Sequence, residues 1–468
     1  MAKYFNVGDV HVRPGTFFNV DKKGDDNVYG AIDGIVAVIV KAAFGPLGTV
    51  SVIGRNDGYE QIYGSGGTTD AIREAFYGGA KTVIACRVGG TDGVAGAAKF
   101  TAGSGSVSIK AKHVGDMSLS ATIRPRLTDT ARKECIIYTD TEVYETVTFE
   151  KGGDEVAAIQ AAFASSPNFV IEVAEGTGTI TDAEQVQFTG GKNPTVANKD
   201  YSAALAELEK YFFNAICVDT EEHEVHVLLN EFKKRTFLEG SFGMAVVAEK
   251  NGKSLEERMK AAEGFNSEDM TYVFNATAYA GDLLLEGYQI AAYLAGVYAA
   301  NPSNQSLTHT VLKRYTKLGE RLTNSQIVAA EKRGCLVLSV NSRDEVRIDN
   351  AINTLVKLPA DKDEGWKKLR RTKTRHEVMY RANGQTDDLV GKIDNDPNGR
   401  AVIIGQVQGI LNKMIIEGKL AAGEIKESTT HLPEGPRAYF DINVIDKESG
   451  EFIYLFYKFQ FSTVATQE

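Results

Sequence analysis

Two histidines three residues apart, His223 and His226 in the string HEVH, are the side chains of this chain that come nearest to a metal-binding pattern. A zinc-protease helix needs its imidazoles at i and i+4, with a glutamate directly after the first. The spacing here predicts a surface helix carrying two imidazoles on one face. Gly64-Ser65-Gly66-Gly67 runs into Thr68 and Thr69, cap candidates for a helix from Asp70 to Phe76, and glycines ahead of a helix can cradle a phosphate. No Lys-Ser/Thr pair follows them and the G-x-G-x-x-G spacing is not met, so nucleotide binding is not expected. Cys86, Cys135, Cys217 and Cys335 stand singly in apolar runs such as TVIACRV and GCLVLSV, which predicts buried apolar residues rather than a zinc site or a disulfide framework. No serine sits in a G-x-S-x-G elbow, and the carboxylates form no calcium loop. No catalytic, cofactor or metal residue is therefore assigned. A structural protein is expected, with an α/β enzyme whose site is assembled from distant residues as its rival.

The 468 residues correspond to roughly three domains. With 43% hydrophobic and 24% charged residues the chain has an ordinary globular composition, able to bury a core. A net charge of −10 argues against a nucleic-acid partner, which calls for a basic excess. No stretch has the length and apolarity of a signal peptide or a bilayer span, so membrane insertion is not expected and synthesis is expected in the cytosol.

The elements that must position any site read as α/β. Residues 1–24 form an extended N-terminal arm in which Val10 and Val12 alternate with His11 and Arg13 before Pro14-Gly15 and Phe17. This arm either lies against something else or frays. Residues 25–95 read as the first part of an α/β core, with strands at Ile35–Val40, Val50–Ile53 and Thr82–Val88. Residues 96–190 read as an inserted β-rich domain of short alternating strands, with one helix over Asp154–Ala164. Residues 191–437 resume the core, with helices predicted at Tyr201–Phe213, Glu221–Lys234, Tyr279–Asn301, Thr323–Arg333, Asp344–Leu355 and Arg400–Leu420. The one conspicuous charge run, Lys367, Lys368, Arg370, Arg371, Lys373 and Arg375, reads equally as a solvated helix face and as a docking strip for an acidic partner.

Residues 438–468 form a C-terminal strand arm. Phe440, Ile442 and Val444 alternate with Asp441 and Asn443 as in a half-buried strand, and Asp446–Gly450 is a turn. The return strand, from Phe452 to Phe461, is apolar on both faces, through Tyr454, Phe456 and Phe459 among others. A long apolar edge strand left open recruits another chain. Either the fold covers it or it pairs with another molecule.

Several strings, in order over nearly the whole chain, resemble the tail sheath proteins of contractile phages and phage-tail-like particles. They are RPGTFF (Arg13–Phe18), AFGPLGTV (Ala43–Val50), FYGGAKTVIACRV (Phe76–Val88), FTGGKNPTVANKDYSAALAELE (Phe188–Glu209), YAGDLLL with AGVYAANPSNQS (within Tyr279–Ser306), KRGCLVLSVNSRDEVRI (Lys332–Ile348) and LVGKIDNDPNGR (Leu389–Arg400). Between Thr101 and Arg124 the chain departs from the family, carrying VGDMSLSATI where many relatives have a Pro-Gly plus Trp-Gly-Asn signature.

The resemblance implies a structural subunit of a contractile sheath. Such a subunit polymerises around an inner tail tube in an extended state, then contracts to drive the tube through a target cell envelope. It implies no cofactor, a helical homo-oligomer, and inner tube, baseplate and tail terminator proteins as partners. It places the chain in a virion tail or phage-tail-like particle made in the host bacterial cytoplasm. Strand exchange between subunits would then use Val10, Val12, Phe17, Phe440, Ile442, Val444, Phe452, Tyr454, Phe456 and Phe459, and the basic strip Lys367–Arg375 becomes the candidate tube contact. A non-contractile structural polymer is the remaining alternative.

Overall fold

The computed structural model describes residues 33–140, 142–175 and 178–459, together with two short backbone strands, Lys3–Tyr4 and Phe17–Phe18, that pair in parallel. Phe17 thus lies in a two-residue bridge, whereas Val10 and Val12 fall outside the described residues.

A seven-stranded sheet organises the core. Its order is Cys335–Leu336, Met270–Val273, Met244–Ala248, Ala215–Val218, Ile35–Val40, Thr82–Arg87, Val50–Gly54, and every pairing is parallel except the last. Continuous apolar runs build it because both faces are covered. Val36, Val38 and Val40 point into one hydrophobic cluster, while Ala37 and Ile39 point into the other. On the first face lie the helices Asp70–Gly78 and Gly287–Ala300. On the second lie Asn198–Leu208, His223–Leu238, Leu255–Phe265 and Asn324–Lys332. The architecture is a doubly wound α/β layer structure with further units attached, in agreement with the α/β, multidomain expectation.

Between Arg87 and Asn198 the chain leaves the sheet to form a β-rich unit. A four-stranded sheet (Val143–Glu150, Asp129–Tyr138, Ser120–Arg126, Ala183–Gln187) and a three-stranded one (Phe169–Ala174, Gly105–Ala111, Ala97–Ala102) share a core with the helix Glu155–Phe163. The chain goes out and comes back side by side, with Val94 bridged to Lys192. At the junction Arg87 is fully buried and its Nη1 donates to the carbonyls of Gly45 and Val114 at 2.8 and 2.7 Å.

Several local expectations give way to hydrogen-bond chemistry. Tyr279–Asn301 is not one helix. Thr277–Ala280 and Leu283–Glu286 form a hairpin turning at Gly281, whose φ is 65°. The helix starts only at Gly287, where the Glu286 amide donates to the Gln289 side chain at 2.7 Å. The predicted helix at Asp344–Leu355 is instead a turn and the strand Val346–Ile348. The Asn341 side chain accepts from the amides of Arg343 and Glu345, and Asp344 is left-handed at φ 64°. The apolar run at Cys335–Val340 splits between two sheets. His226 is not on a surface. It is fully buried on the inner side of its helix with Nε2 2.9 Å from the Thr220 carbonyl, and burial pushes its pKa down to about 4 against that hydrogen bond.

Two helices of the first face approach at glycines. A Cβ on Gly296 would sit 2.2 Å from the Ala75 carbonyl oxygen, and one on Gly78 would sit 2.1 Å from that of Tyr293. Gly296→Ala gains about 1 kcal/mol of helix propensity, but overpacking costs about 1–3 kcal/mol. A net loss of stability is expected, read as a lower urea midpoint with an unchanged slope. The imidazole of His226 gives a second test. Between pH 6.5 and about 4 the unfolded side chain takes up a proton that the folded one refuses. Stability present above pH 6.5 is therefore lost as pH falls through this window, by up to about 3 kcal/mol. His226→Gln is expected to flatten the urea midpoint over the same range; an equally steep profile would assign the acid sensitivity to other groups.

Candidate functional site

The position where doubly wound sheets bind ligands is filled in this protein. Strand order reverses between Ile35–Val40 and Ala215–Val218, and a crevice would open beyond Lys41 and Asp219. Asp219, 2% exposed, closes it: Oδ2 accepts from the Thr68 hydroxyl at 2.5 Å and the Lys41 amide at 2.8 Å, and Oδ1 from the Tyr201 hydroxyl at 2.7 Å. The glycine-rich loop serves this closure. A Cβ on Gly67 would meet the Lys41 carbonyl oxygen at 2.3 Å, so the glycine is there for backbone approach rather than for phosphate. The four cysteines are buried free thiols, and burial pushes those of Cys86 and Cys135 up to about 11 and 12. Among the described residues no three His, Cys, Asp or Glu side chains are grouped as metal ligands would be, and no helix is long and apolar enough to cross a membrane.

The surface that stands out lies at the C-terminal end. The helix Pro397–Ile416 starts where Asp396 accepts from the Gly399 amide at 2.7 Å, with proline in its first turn, and ends ahead of Gly418. It begins and ends a few residues before the expected Arg400–Leu420. The chain then turns back as the strand Leu420–Glu427. Phe440–Asp446 is a strand, as its alternation predicts, but its partner is Leu420–Glu427 and not the segment after Gly450. The expected terminal hairpin is thereby corrected: the earlier strand pairs from Leu420↔Asp446 to Glu427↔Phe440, with one register shift between Leu420 and Ala422. Phe440 and Val444 pack on the cluster of Val407, Ile410, Leu411 and Met414, while Ile442 is 40% exposed. The two strands form a sheet with no third strand among the described residues. The Gln408 side chain covers part of the outer edge of Leu420–Glu427, donating to the Gly423 carbonyl at 2.9 Å and accepting from the Ile425 amide at 3.2 Å.

The basic strip is no solvated face. None of its six cations is fully exposed, because each is spent on partners inside the chain. Lys367 pairs with Glu364 at 2.8 Å. Lys368 pairs with Glu451 at 2.5 Å and donates to Asn350 at 2.8 Å. Arg370 donates to the Ser449 hydroxyl at 2.6 Å, and Arg371 pairs with Asp446, Glu448 and Asp363 at 3.2, 3.1 and 3.3 Å. Lys373 points inward from the helix Leu369–Asp387, 3.0 Å from Asp33, and caps the helix Gly287–Ala300 by donating to the carbonyls of Tyr298, Ala299 and Asn301. Arg375 lies 3.9 Å over the Trp366 ring and 3.5 Å from Glu268. A one-dimensional charge run cannot reveal that its counter-charges arrive from residues 446–451; the only signal is that D-K-E-S-G-E is itself acidic.

The strip therefore grips a root. Glu451 receives Lys368 on Oε2 and the hydroxyls of Ser306 and Thr308 on Oε1 at 2.8 and 3.1 Å. Burial would raise this carboxyl, but the ammonium and the two hydroxyls outweigh it and hold the pKa below the ordinary carboxylate range. Immediately beyond, the chain is bare. From Phe452 to Phe459 no strand or helix forms, and every residue is exposed: Phe452 76%, Tyr454 79%, Phe456 92% and Phe459 84%. Ile453, Leu455 and Tyr457 are exposed as well, making seven large apolar side chains among eight residues. A monomeric protein rarely leaves so much contiguous apolar surface in water.

The chain is similar to known sheath proteins in sequence and in fold. Residues 195–354 match the model of the phage tail sheath protein central domain. The phage-like element PBSX protein XkdK of Bacillus subtilis (strain 168) is 23% identical over 383 residues, covering 78% of this chain and 77% of that one. The crystal structure of the sheath tail protein of Desulfitobacterium hafniense superimposes with a TM-score of 0.69 at 19% identity, over 92% of this chain and all of the other. The helical sheath of the anti-feeding prophage in its contracted state superimposes with a TM-score of 0.57 at 11% identity, over 97% of this chain and 99% of the other. Residues 195–354 are thus similar to the phage tail sheath protein central domain, in a chain that shares the fold of sheath tail proteins over nearly its whole length.

Proposed function

We propose that this protein is the structural subunit of a contractile tail sheath in a phage tail or phage-tail-like particle. In this reading it forms a helical polymer around an inner tube, joined to a baseplate at one end and a terminator at the other, and its shortening drives the tube through a target envelope. The observation that carries the proposal is the apolar segment Phe452–Phe459, exposed beyond a firmly held root and following a two-stranded sheet that no third strand extends among the described residues. A segment of this kind is satisfied by adding as a strand to a neighbour, where main-chain hydrogen bonds give strength and side-chain alternation gives register. Fully burying a large apolar side chain contributes about 1.5–3 kcal/mol, so seven of them supply on the order of 10 kcal/mol before the cost of ordering.

The donor surface (Phe452, Tyr454, Phe456 and Phe459) and the acceptor (the sheet containing Phe440, Ile442 and Val444) are different surfaces of one chain. The contact is therefore heterologous, and repeating it builds a helix rather than a closed pair. The N-terminal segment with Val10, Val12 and Phe17 is the second proposed linker. Contraction is then a rigid-body rearrangement of cores that stay tethered. At about 25 cal/mol per Å², a further few hundred Å² of apolar surface buried per subunit would release several kcal/mol each, without nucleotide. The inner tube remains the proposed partner of the polymer's inside. Because Lys368, Arg370, Arg371, Lys373 and Arg375 are already paired within the chain, a contact there would have to exchange those partners.

Negative-stain electron microscopy of the concentrated full-length protein is expected to show wide, hollow, striated tubes. A chain ending at Glu451 is expected to keep its melting temperature and circular dichroism while remaining dispersed. Tubes formed equally well by the shortened chain would refute the arm's role. Polymers of one fixed length and width, with no shorter and wider form, would point to a non-contractile assembly.

A further inference from the structure

The helix that holds the root of the C-terminal segment also holds the place where the N-terminal segment joins the core. Asp33, at the start of the continuously described core, pairs with Lys373. Glu451, after which every described residue is exposed, pairs with Lys368. Lys368 and Lys373 are five residues apart, about 7.5 Å along the helix axis and roughly 140° around it, so one short stretch of one element holds both junctions. The holding is unequal to chance surface pairing. Asp446, Glu448, Ser449 and Glu451 all receive donors from Lys368, Arg370 or Arg371, so four of the last six anchored residues are tied to one element. That element is itself fixed. Leu369, Thr372, Thr374 and Val378 are buried, and the His376 ring nitrogen lies 2.7 Å from Asp269, just ahead of Met270–Val273, the second strand of the seven-stranded sheet.

We propose that the helix Leu369–Asp387 is a yoke: it fixes the roots of both termini relative to each other, so that load arriving through one is handed to the other without crossing the central sheet. This rests on the reading of the termini as links between neighbouring subunits. Glu451 is the pivot. The segment beyond it swings from Phe452, while residues 446–451 move with the helix. In a polymer whose cores rotate, such a device keeps the linker path short and constant in length, and the sheet carries no tension.

Spin labels beside the two roots test this. Lys81 is exposed and its amide donates to the Gly34 carbonyl at 2.8 Å, and Gly450 is exposed with open space around it. Lys81→Cys and Gly450→Cys can be labelled selectively because the four native cysteines are buried. Double electron–electron resonance on the free full-length subunit is expected to give one narrow distance. In the assembled polymer it is expected to stay within about one helical turn of that value, roughly 5 Å. Adding Lys368→Met with Arg371→Met, or the milder Glu451→Gln, is expected to broaden it. A broad distance in the unsubstituted subunit, or one that neither variant changes, overturns the yoke whether or not the protein polymerises. A narrow distance that moves by more than a turn on assembly overturns the transfer of load. Absence of any polymer would instead count against the sheath reading, with the free-subunit distances still deciding the yoke.

Discussion

The ammonium of Lys373 is the interaction on which the C-terminal part of the structure depends. It is taken out of water into a cage made by the Asp33 carboxylate and the last carbonyls of the helix Gly287–Ala300. Desolvating an ammonium is expensive unless every proton finds an acceptor, and here the acceptors include a charge and the negative end of a helix dipole. Burial lowers its pKa, and Asp33 opposes that effect. The cage ties three parts of the chain together: the beginning of the core, the helix that packs on Asp70–Gly78, and the basic helix from which residues 446–451 are held. The geometry leaves no substitute, because a shorter or uncharged side chain would strand the carbonyls and Asp33 alike.

From that anchor the electrostatics run outward in order of exposure. Inside lies a network of Glu377, Arg381, Glu417 and Lys419, with separations of 2.5–3.0 Å and with Glu377, Arg381 and Lys419 all buried. At the rim lie the half-buried pairs of Arg371 and Lys368. Buried pairs of this kind specify one arrangement more than they add stability, since removing one partner leaves a charge uncompensated. The chain as a whole is acidic, and its conspicuous basic stretch is partnered within the chain, by residues 446–451 at Lys368, Arg370 and Arg371 and by Glu364, Asp33 and Glu268 at Lys367, Lys373 and Arg375. Those pairings fix the direction in which the chain leaves the core at Glu451.

The same economy separates what is closed from what is open. Where an α/β sheet would accept a ligand, Asp219, Thr68 and Tyr201 occupy the crevice and satisfy one another. Where a folded domain would cover an apolar segment, the chain is left uncovered from Phe452 to Phe459. Its fold is shared with sheath tail proteins, whose assembled form is a helical polymer in the anti-feeding prophage sheath.

The sequence by itself determined the elements whose pattern is local. The strands Ile35–Val40 and Thr82–Arg87 are uninterrupted apolar runs, the helix Glu155–Phe163 is announced by Asp154 as its cap, and Phe440–Asp446 alternates with period two. The apolar character of Phe452–Phe459 was equally plain. Other features are long-range and were decided only by tertiary structure. The partner of Phe440–Asp446 is chosen by register against Leu420–Glu427, which a hairpin reading with the nearer segment cannot anticipate. His226 looks like a surface imidazole until its helix face is seen to be covered by the sheet. The charge run Lys367–Arg375 looks free until residues 446–451 and Asp33 are brought to it from 75 or more residues away in one direction and several hundred in the other. Period and capping are properties of a few neighbouring residues, so a sequence displays them. Register, burial and the neutralisation of charge depend on which distant segments meet, and only the folded chain brings those together.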